Sequence, residues 1–305
     1  MKKIFIDGSA GTTGLRIHER LADRHDIEVV TLPYEMRRDV EARREAINSC
    51  DIAFLCLPDA AAVEAVGMIE NDTTVVIDTS TAHRTNDAWA YGFAELSDAH
   101  RDNIKNARRI ANPGCHASGF IACVYPLTAA GLLPKDFPIC AYSLTGYSGG
   151  GKTLIAEYED ADRDVRHESH RIYGTTLSHK HLPEMKKICM LENVPVFSPI
   201  LGDFHSGMAT TIMLPGFSAS EVHECIAEHY KNARLVSVAP LGGDESVIYA
   251  STYAGRDSMR IAVCGHEGQT TVTAIFDNLG KGASGAAIQN MNISLGVDET
   301  TGLVL

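Results

Sequence analysis

No stretch of the 305-residue sequence is apolar for long enough to span a membrane, and no two of its eight cysteines are spaced C-x-x-C. The first absence leaves no transmembrane segment. The second excludes zinc-ribbon and dithiol-redox readings. Positive charge is also scarce: 27 Lys and Arg stand against 39 Asp and Glu, a net charge of −12. A phosphate backbone or an anionic membrane needs a basic face, so neither nucleic acid nor membrane is an expected partner. No internal repeat or low-complexity segment is present, which removes repeat architectures. Met1-Lys2-Lys3-Ile4-Phe5-Ile6 enters a strand pattern directly, with no signal-peptide core. A cytoplasmic protein with free, packing thiols is therefore expected, and its length suggests two domains.

What is there begins with strand, Gly-rich turn and helix. Lys3-Ile-Phe-Ile-Asp7 runs into Gly8-Ser9-Ala10-Gly11-Thr12-Thr13-Gly14, and Leu15, Ile17, His18 and Leu21 follow at helical spacing. Small residues let the backbone approach a pyrophosphate, which rests on the helix N-terminus. The spacing is G-x-x-G-x-x-G, and its place at the head of a βαβ unit points to a nucleotide. Ile27–Leu32 reads as the second strand. It lacks the terminal acid that binds a ribose 2′-hydroxyl, and Arg37 and Arg38 follow, which favours NADP over NAD. Further buried strands are expected at 51–57, 74–78 and 108–112, with an Ala-rich helix at 59–68 between the first two. Ser80 and Arg84, in the loop after the strand at 74–78, are placed to meet a cofactor or an anion, or else belong to a solvated loop.

The strand at 108–112 delivers Asn112-Pro113-Gly114-Cys115, and Phe120 to Tyr125 read as the first turns of a buried helix. A Cys at a helix start meets unpaired N–H groups and the positive end of the dipole, which favour the thiolate and could hold an oxyanion. Beyond it the strict alternation of strand and helix ends. Strands are expected at 139–145, in a long run ending near Leu214, and near 234–238, 246–251, 260–264 and 270–277, with a helix at 221–230. This pattern predicts an α+β domain with a mixed sheet. Gly146-Tyr147-Ser148-Gly149-Gly150-Gly151-Lys152 reads as a backbone nest for an anionic substrate or as a flexible linker. His179 and His181 precede a helix opening with Pro183-Glu184, a layout in which an acid can orient a proton-transferring His. Two surface histidines, or a metal site drawn from His167, His170, His179, His181 and Glu184, are the alternatives. Residues 277–292 are Gly/Ala-rich and then helical, suited to packing on a nucleotide or another helix.

The five blocks 8–14, 112–115, 146–152, 179–184 and 278–292, in that order, resemble the N-acetyl-gamma-glutamyl-phosphate reductase family of arginine biosynthesis, in the shorter of its two forms. The resemblance covers nearly the full length. It implies the aspartate-semialdehyde-dehydrogenase-like fold: a Rossmann-type α/β domain with a parallel sheet for NADP at 1–115 with 280–305, and a catalytic, oligomer-forming α+β domain at 116–279. A homo-oligomer, dimer or tetramer, is expected. The resemblance also implies an acyl-phosphate reduction through a Cys115 thioester, with His181 moving protons and Glu184 steadying it, and with no metal. Residues assigned to the cofactor are Gly8 to Gly14, Arg37, Ser80 and Asn278. Those assigned to substrate are Arg84, Asn112, Ser148, Gly149, Lys152 and His179. Three positions depart from common family residues: His116 where Tyr is frequent, Ser80-Thr81-Ala82-His83-Arg84 in the strand-end loop, and Ser206-Gly207 where Arg-Gly is common. A reductase of aspartyl or aminoadipyl phosphate is the nearest alternative. A zinc hydrolase and a non-catalytic NADP sensor are more remote.

Overall fold

The computed structural model describes residues 1–243 and 246–305. It divides the chain into two compact units, Met1–Gly114 with Ala283–Leu303, and Cys115–Gly282 with Val304–Leu305. The first unit opens with β1 (Lys2–Asp7), α1 (Thr12–Leu21), β2 (Ile27–Val30), α2 (Val40–Ser49), β3 (Ile52–Leu55), α3 (Asp59–Gly67) and β4 (Val75–Asp78). It continues with β5 (Ala90–Tyr91), α4 (Asp98–Asn106) and β6 (Arg109–Ala111). All six strands are parallel, in the order β2-β1-β3-β4-β6-β5. β3 and β4 are buried at every position, which explains their continuous apolar runs: cores form on both faces. Ile4, Ile6, Phe54 and Ile77 pack with Ile17 and Leu21 of α1 in one cluster. Phe5, Ala53, Leu55 and Val76 point the other way and pack with Ile47 and Ala65 of α2 and α3.

The second unit comprises α5 (Cys115–Ala129), β7 (Cys140–Gly146), α6 (Gly151–Glu159), β8 (Arg171–Ile172), α7 (Leu182–Ile188), β9 (Val196–Gly202), β10 (Met208–Pro215), α8 (Ala219–Tyr230), β11 (Val236–Val238), β12 (Met259–His266) and β13 (Gln269–Phe276). Its seven strands form a mixed sheet in the order β11-β12-β13-β10-β7-β9-β8. β11 runs parallel to β12 and β7 parallel to β9, and the other pairs are antiparallel. The apolar helix α5 lies close on the sheet: a Cβ at Gly119 would come within 2.5 Å of Thr210 Oγ1 on β10. Helix α8 packs beside α5, with Tyr230 Oη donating to Ala122 O at 2.9 Å. After this unit the chain returns to the first through α9 (Gly285–Leu295), whose Ala287, Ile288 and Met291 join the α1 side of that core.

Two expectations for the second half require correction. Residues 246–251 form no strand. Ile248 instead packs on Ala239, Ala262 and Ile275, while β11 takes up the available side of β12, so the apolar residue is buried without ladder pairing. The segment 146–152 is neither an open nest nor a linker. Tyr147–Gly150 form a 3₁₀ turn and α6 starts at Gly151. Among the described residues, no helix is long and apolar enough to cross a membrane.

Candidate active site

In the first unit the strand order reverses around β1, and the Gly-rich turn sits at that switch point, where open α/β sheets take their ligands. Gly8 has φ +86°, and a Cβ there would fall 2.3 Å from Cys56 O after β3. A Cβ at Gly14 would fall 2.5 Å from Gly8 O, so α1 meets the turn with no room for a side chain. The Thr12 hydroxyl, at the first turn of α1, is buried with no hydrogen-bond partner among the described residues. A cavity of about 680 Å³ opens above, lined by Gly8, Ser9, Ala10, Arg37, Arg38 and Arg43 among others. Arg37 lies over the Tyr34 ring at 5.5 Å. Arg43, absent from the sequence-based assignment, holds the buried Asp7 through Nη2 at 2.9 Å. Burial nevertheless outweighs Arg43 and leaves the Asp7 carboxyl above the usual range.

In the second unit Cys115 is the first residue of α5, and a Cβ on Gly282 would touch its Cβ at 3.1 Å. Several of the other thiols are buried and held in the neutral form. Burial pushes Cys50 up to about 12 and pushes Cys123 and Cys189 well above the ordinary value. Three imidazoles cluster near the α5 start. Ring centroids of His116 lie 5.3 Å from His179 and 5.9 Å from His181, and His179 lies 4.7 Å from His181. Phe197 forms the apolar wall, 5.3 Å from His116 and 5.6 Å from His179. His181 caps α7, and its N–H donates to His179 Nδ1 at 3.1 Å. With Nδ1 accepting, the neutral His179 carries its proton on Nε2. Burial, with Lys180 adding to it, pushes His179 down to about 4. Burial, then His179 and Lys180, pushes His116 down to about 3. Both are therefore neutral at physiological pH. His181 and Glu184 are both buried on the first turn of α7, so they are not surface residues.

Several other assigned residues have their polar atoms engaged. Ser80 Oγ donates to the buried Asp78 at 2.7 Å, and His83 Nδ1 meets the same carboxylate at 2.6 Å. Arg84 is buried, not solvated. Its Nε donates to Asn112 O and its Nη2 to Thr79 O, both at 2.9 Å. Asn112 Nδ2 donates to Ala283 O at 3.0 Å and Asn112 Oδ1 accepts from Asn290 Nδ2 at 3.1 Å. Asn278 belongs to the second unit, where Oδ1 accepts from Gly207 N–H at 2.9 Å and Nδ2 donates to Ser148 Oγ at 3.0 Å. Gly149 packs its backbone beside that amide, and Lys152 is exposed on α6. His167 stacks on Tyr158 at 4.6 Å, apart from the triple-histidine cluster. No group of three or more His, Cys, Asp and Glu among the described residues is arranged to hold a metal ion. Sequence reasoning missed Ser143 and Tyr173, which meet the two ring nitrogens of His116, and Thr210, which meets Ser143. Nothing in their local spacing distinguishes them, because β7, the segment before α7, and β10 bring them together only in the folded sheet.

Two family models cover most of the chain: the NAD binding domain of semialdehyde dehydrogenase matches residues 3–107, and its dimerisation domain matches residues 115–278. Proteins named N-acetyl-gamma-glutamyl-phosphate reductase are similar throughout. That of Burkholderia ambifaria is 46% identical, covering 96% of this chain and 96% of its own length. That of Brucella ovis is 47% identical, covering 96% and 99%. Among solved structures, aspartate semialdehyde dehydrogenase II of Vibrio cholerae complexed with ASA matches with a TM-score of 0.73 at 16% identity, covering 97% of this chain and 98% of its own. The Candida albicans enzyme with NADP matches with a TM-score of 0.65 at 17% identity, covering 96% and 98%. At such identities these structures establish the shared fold alone. The relatives at 46–47% identity and the matches to both domains carry the assignment: this chain belongs to the N-acetyl-gamma-glutamyl-phosphate reductase family, within the semialdehyde dehydrogenases.

Proposed function

We propose that the protein reduces N-acetyl-gamma-glutamyl phosphate to N-acetyl-glutamate 5-semialdehyde and phosphate, using NADPH, as a step of arginine biosynthesis. The observation that carries the reading is Cys115 at the start of α5, whose next residue His116 lies 5.3 Å from His179 and 5.9 Å from His181 by ring centroids, in a chain whose relatives bear that name. The first unit serves as the NADP domain and the second as the catalytic and oligomer-forming domain of a cytoplasmic homo-oligomer. The residues present fit the cofactor: Gly8 and Gly14 leave a cradle that a Cβ would fill, the Thr12 hydroxyl is buried without a partner, and Arg37 and Arg38 line the cavity beside β2. Bound NADPH would supply the hydride that reduces a thioester carbonyl.

The chain's own residues supply the rest. Cys115, as thiolate, attacks the acyl carbonyl, phosphate leaves with the bonding pair, and a thioester forms on Sγ. The N–H groups of the first turn of α5 hold the developing oxyanion. His181, oriented by Glu184, returns and removes the proton as the hemithioacetal forms and collapses, releasing the aldehyde and Cys115. His179 suits substrate binding, because its Nδ1 is already an acceptor for the His181 N–H and only Nε2–H remains as a donor. Lys152 and Arg84 are the candidate cations for phosphate or carboxylate. Asn112, Ser148 and Gly149 would shape the substrate site, since the side-chain atoms of Asn112 and Ser148 are committed to neighbours.

The test is phosphate-dependent oxidation of N-acetyl-glutamate semialdehyde with NADP, run beside aspartate and aminoadipate semialdehydes. Wild type should oxidise the first with the highest kcat/KM. With acyl phosphate and no NADPH, mass spectrometry should find an acyl adduct on Cys115, and Cys115→Ser should show neither adduct nor turnover. An adduct on another cysteine, or a preference for a different aldehyde, would refute the assignment.

A further inference from the structure

Three arginines line the cavity above the Gly-rich turn: Arg37, Arg38 and Arg43. The first two are exposed, whereas Arg43 is 7% exposed. Solvent and salt screen exposed charges, so the buried guanidinium is the one placed to hold an anion strongly. Arg43 is also held in one orientation. Its Nε donates to both oxygens of the buried Asp7, at 3.3 and 3.0 Å, and its Nη2 donates to Oδ2 at 2.9 Å. These bonds set the plane of the guanidinium and leave Nη1 outside the pair. Nη1 makes no hydrogen bond among the described residues. The charge facing it is Glu64 Oε1 on α3, 3.9 Å away on a side chain that is 56% exposed.

Its place in the fold selects the anion. Arg43 is on α2, which packs on the face of the sheet opposite α1. A pyrophosphate resting on the N-terminus of α1 therefore lies across the sheet from α2. Thr31 and Leu32, just past β2, line the same cavity as Arg43. In such sheets the adenosine ribose is read at that strand end. The anion that NADP carries there is its 2′-phosphate. We propose that Arg43 Nη1 donates to the 2′-phosphate of NADP, with Asp7 as the positioning residue that fixes the guanidinium. The exposed Glu64 side chain can turn into solvent as the phosphate takes its place. Arg37 and Arg38 add weaker, screened attraction from exposed positions.

The inference rests on reading this cavity as the NADP site, and its test separates the two. Calorimetry measures binding of adenosine 2′,5′-bisphosphate and of 5′-AMP, the adenosine end with and without the 2′-phosphate, and needs no turnover. Wild type should bind the bisphosphate more tightly. Arg43→Met should weaken the bisphosphate about 10- to 100-fold, the range for a lost hydrogen bond to a charged group, and 5′-AMP by less than about threefold. Because Arg43→Met strands the Asp7 carboxylate, the double variant Asp7→Asn with Arg43→Met is measured beside it. It should show the same selective loss. Full recovery of bisphosphate binding in the double variant would overturn the proposal, since Arg43 would then act only by neutralising Asp7. An equal loss for both ligands in the double variant would overturn it as well. If Arg43→Met does not fold, the double variant decides. A wild type that binds the two ligands equally would sink the NADP reading and the proposal together. A wild type that prefers the bisphosphate, with both variants unchanged, would sink the role of Arg43 alone.

Discussion

Acidification from pH 8 to pH 5 should weaken the fold through His116 and His179. Burial takes His116 from the ordinary 6.5 to about 3, and takes His179 to about 4. Unfolding returns both to solvent, so between the folded and unfolded values the unfolded chain binds more protons. Stability is therefore full above 6.5, falls as the pH drops through 6.5, and goes on falling until the folded value is reached. Each unit of difference corresponds to about 1.4 kcal/mol, and pH 5 lies one and a half units below the unfolded value, so His116 removes about 2 kcal/mol there. His179 is only half-buried, and solvent screening reduces its share to about 1 kcal/mol. The expected loss of about 3 kcal/mol is a large part of a typical stability of about 5–15 kcal/mol. Urea unfolding at each pH, read by far-UV circular dichroism, measures it. The carboxylates supply a common background, which His116→Gln and His179→Asn share. Each variant should lose less stability than wild type over this range, His116→Gln by the larger margin. If wild type and both variants lose equal amounts, the histidines are not the source and the neutral cluster is wrong.

His181→Asn should lower kcat by about 10²–10⁴, the usual range for a lost acid–base group, with little change in KM. His179→Asn should instead raise KM with a milder loss of kcat; if His179→Asn abolishes the pH-dependent limb of kcat, the two roles are exchanged. Gly8→Ala places a methyl group against Cys56 O at a left-handed φ. It should cost more than about 2 kcal/mol and abolish NADP binding by calorimetry, and near-wild-type binding would show that the turn is not the cradle. A higher kcat/KM with NADP than with NAD is expected, and Arg37→Glu with Arg38→Glu should reduce that preference. Equal use of both cofactors by wild type would leave the two arginines as surface residues.

The order of elements and the fold class were legible in the sequence because their signals are local. A parallel sheet covered on both faces writes continuous apolar runs such as Ile52–Leu55 and Val75–Asp78, and Gly8 and Gly14 mark a turn where a side chain would clash. The place of Cys115 at a helix start was legible because Pro113-Gly114 and the apolar run after it are local signals. Tertiary structure alone decided the rest. The short apolar run within 246–251 suggested a strand, but sheet pairing depends on a free neighbouring edge, and β11 occupies the one beside β12. The side chains of Asn112, Ser148 and Asn278 are engaged by partners up to 178 positions away, which residue order does not show. Arg84, read as a contact for a cofactor or an anion or else as part of a solvated loop, is buried and donates to the carbonyls of Asn112 and Thr79. The hydrogen-bond chain from Thr210 to Tyr173 joins residues up to 67 positions apart. These groups meet only where the sheet and the start of α5 pack together, a property of the folded interior that residue order does not encode.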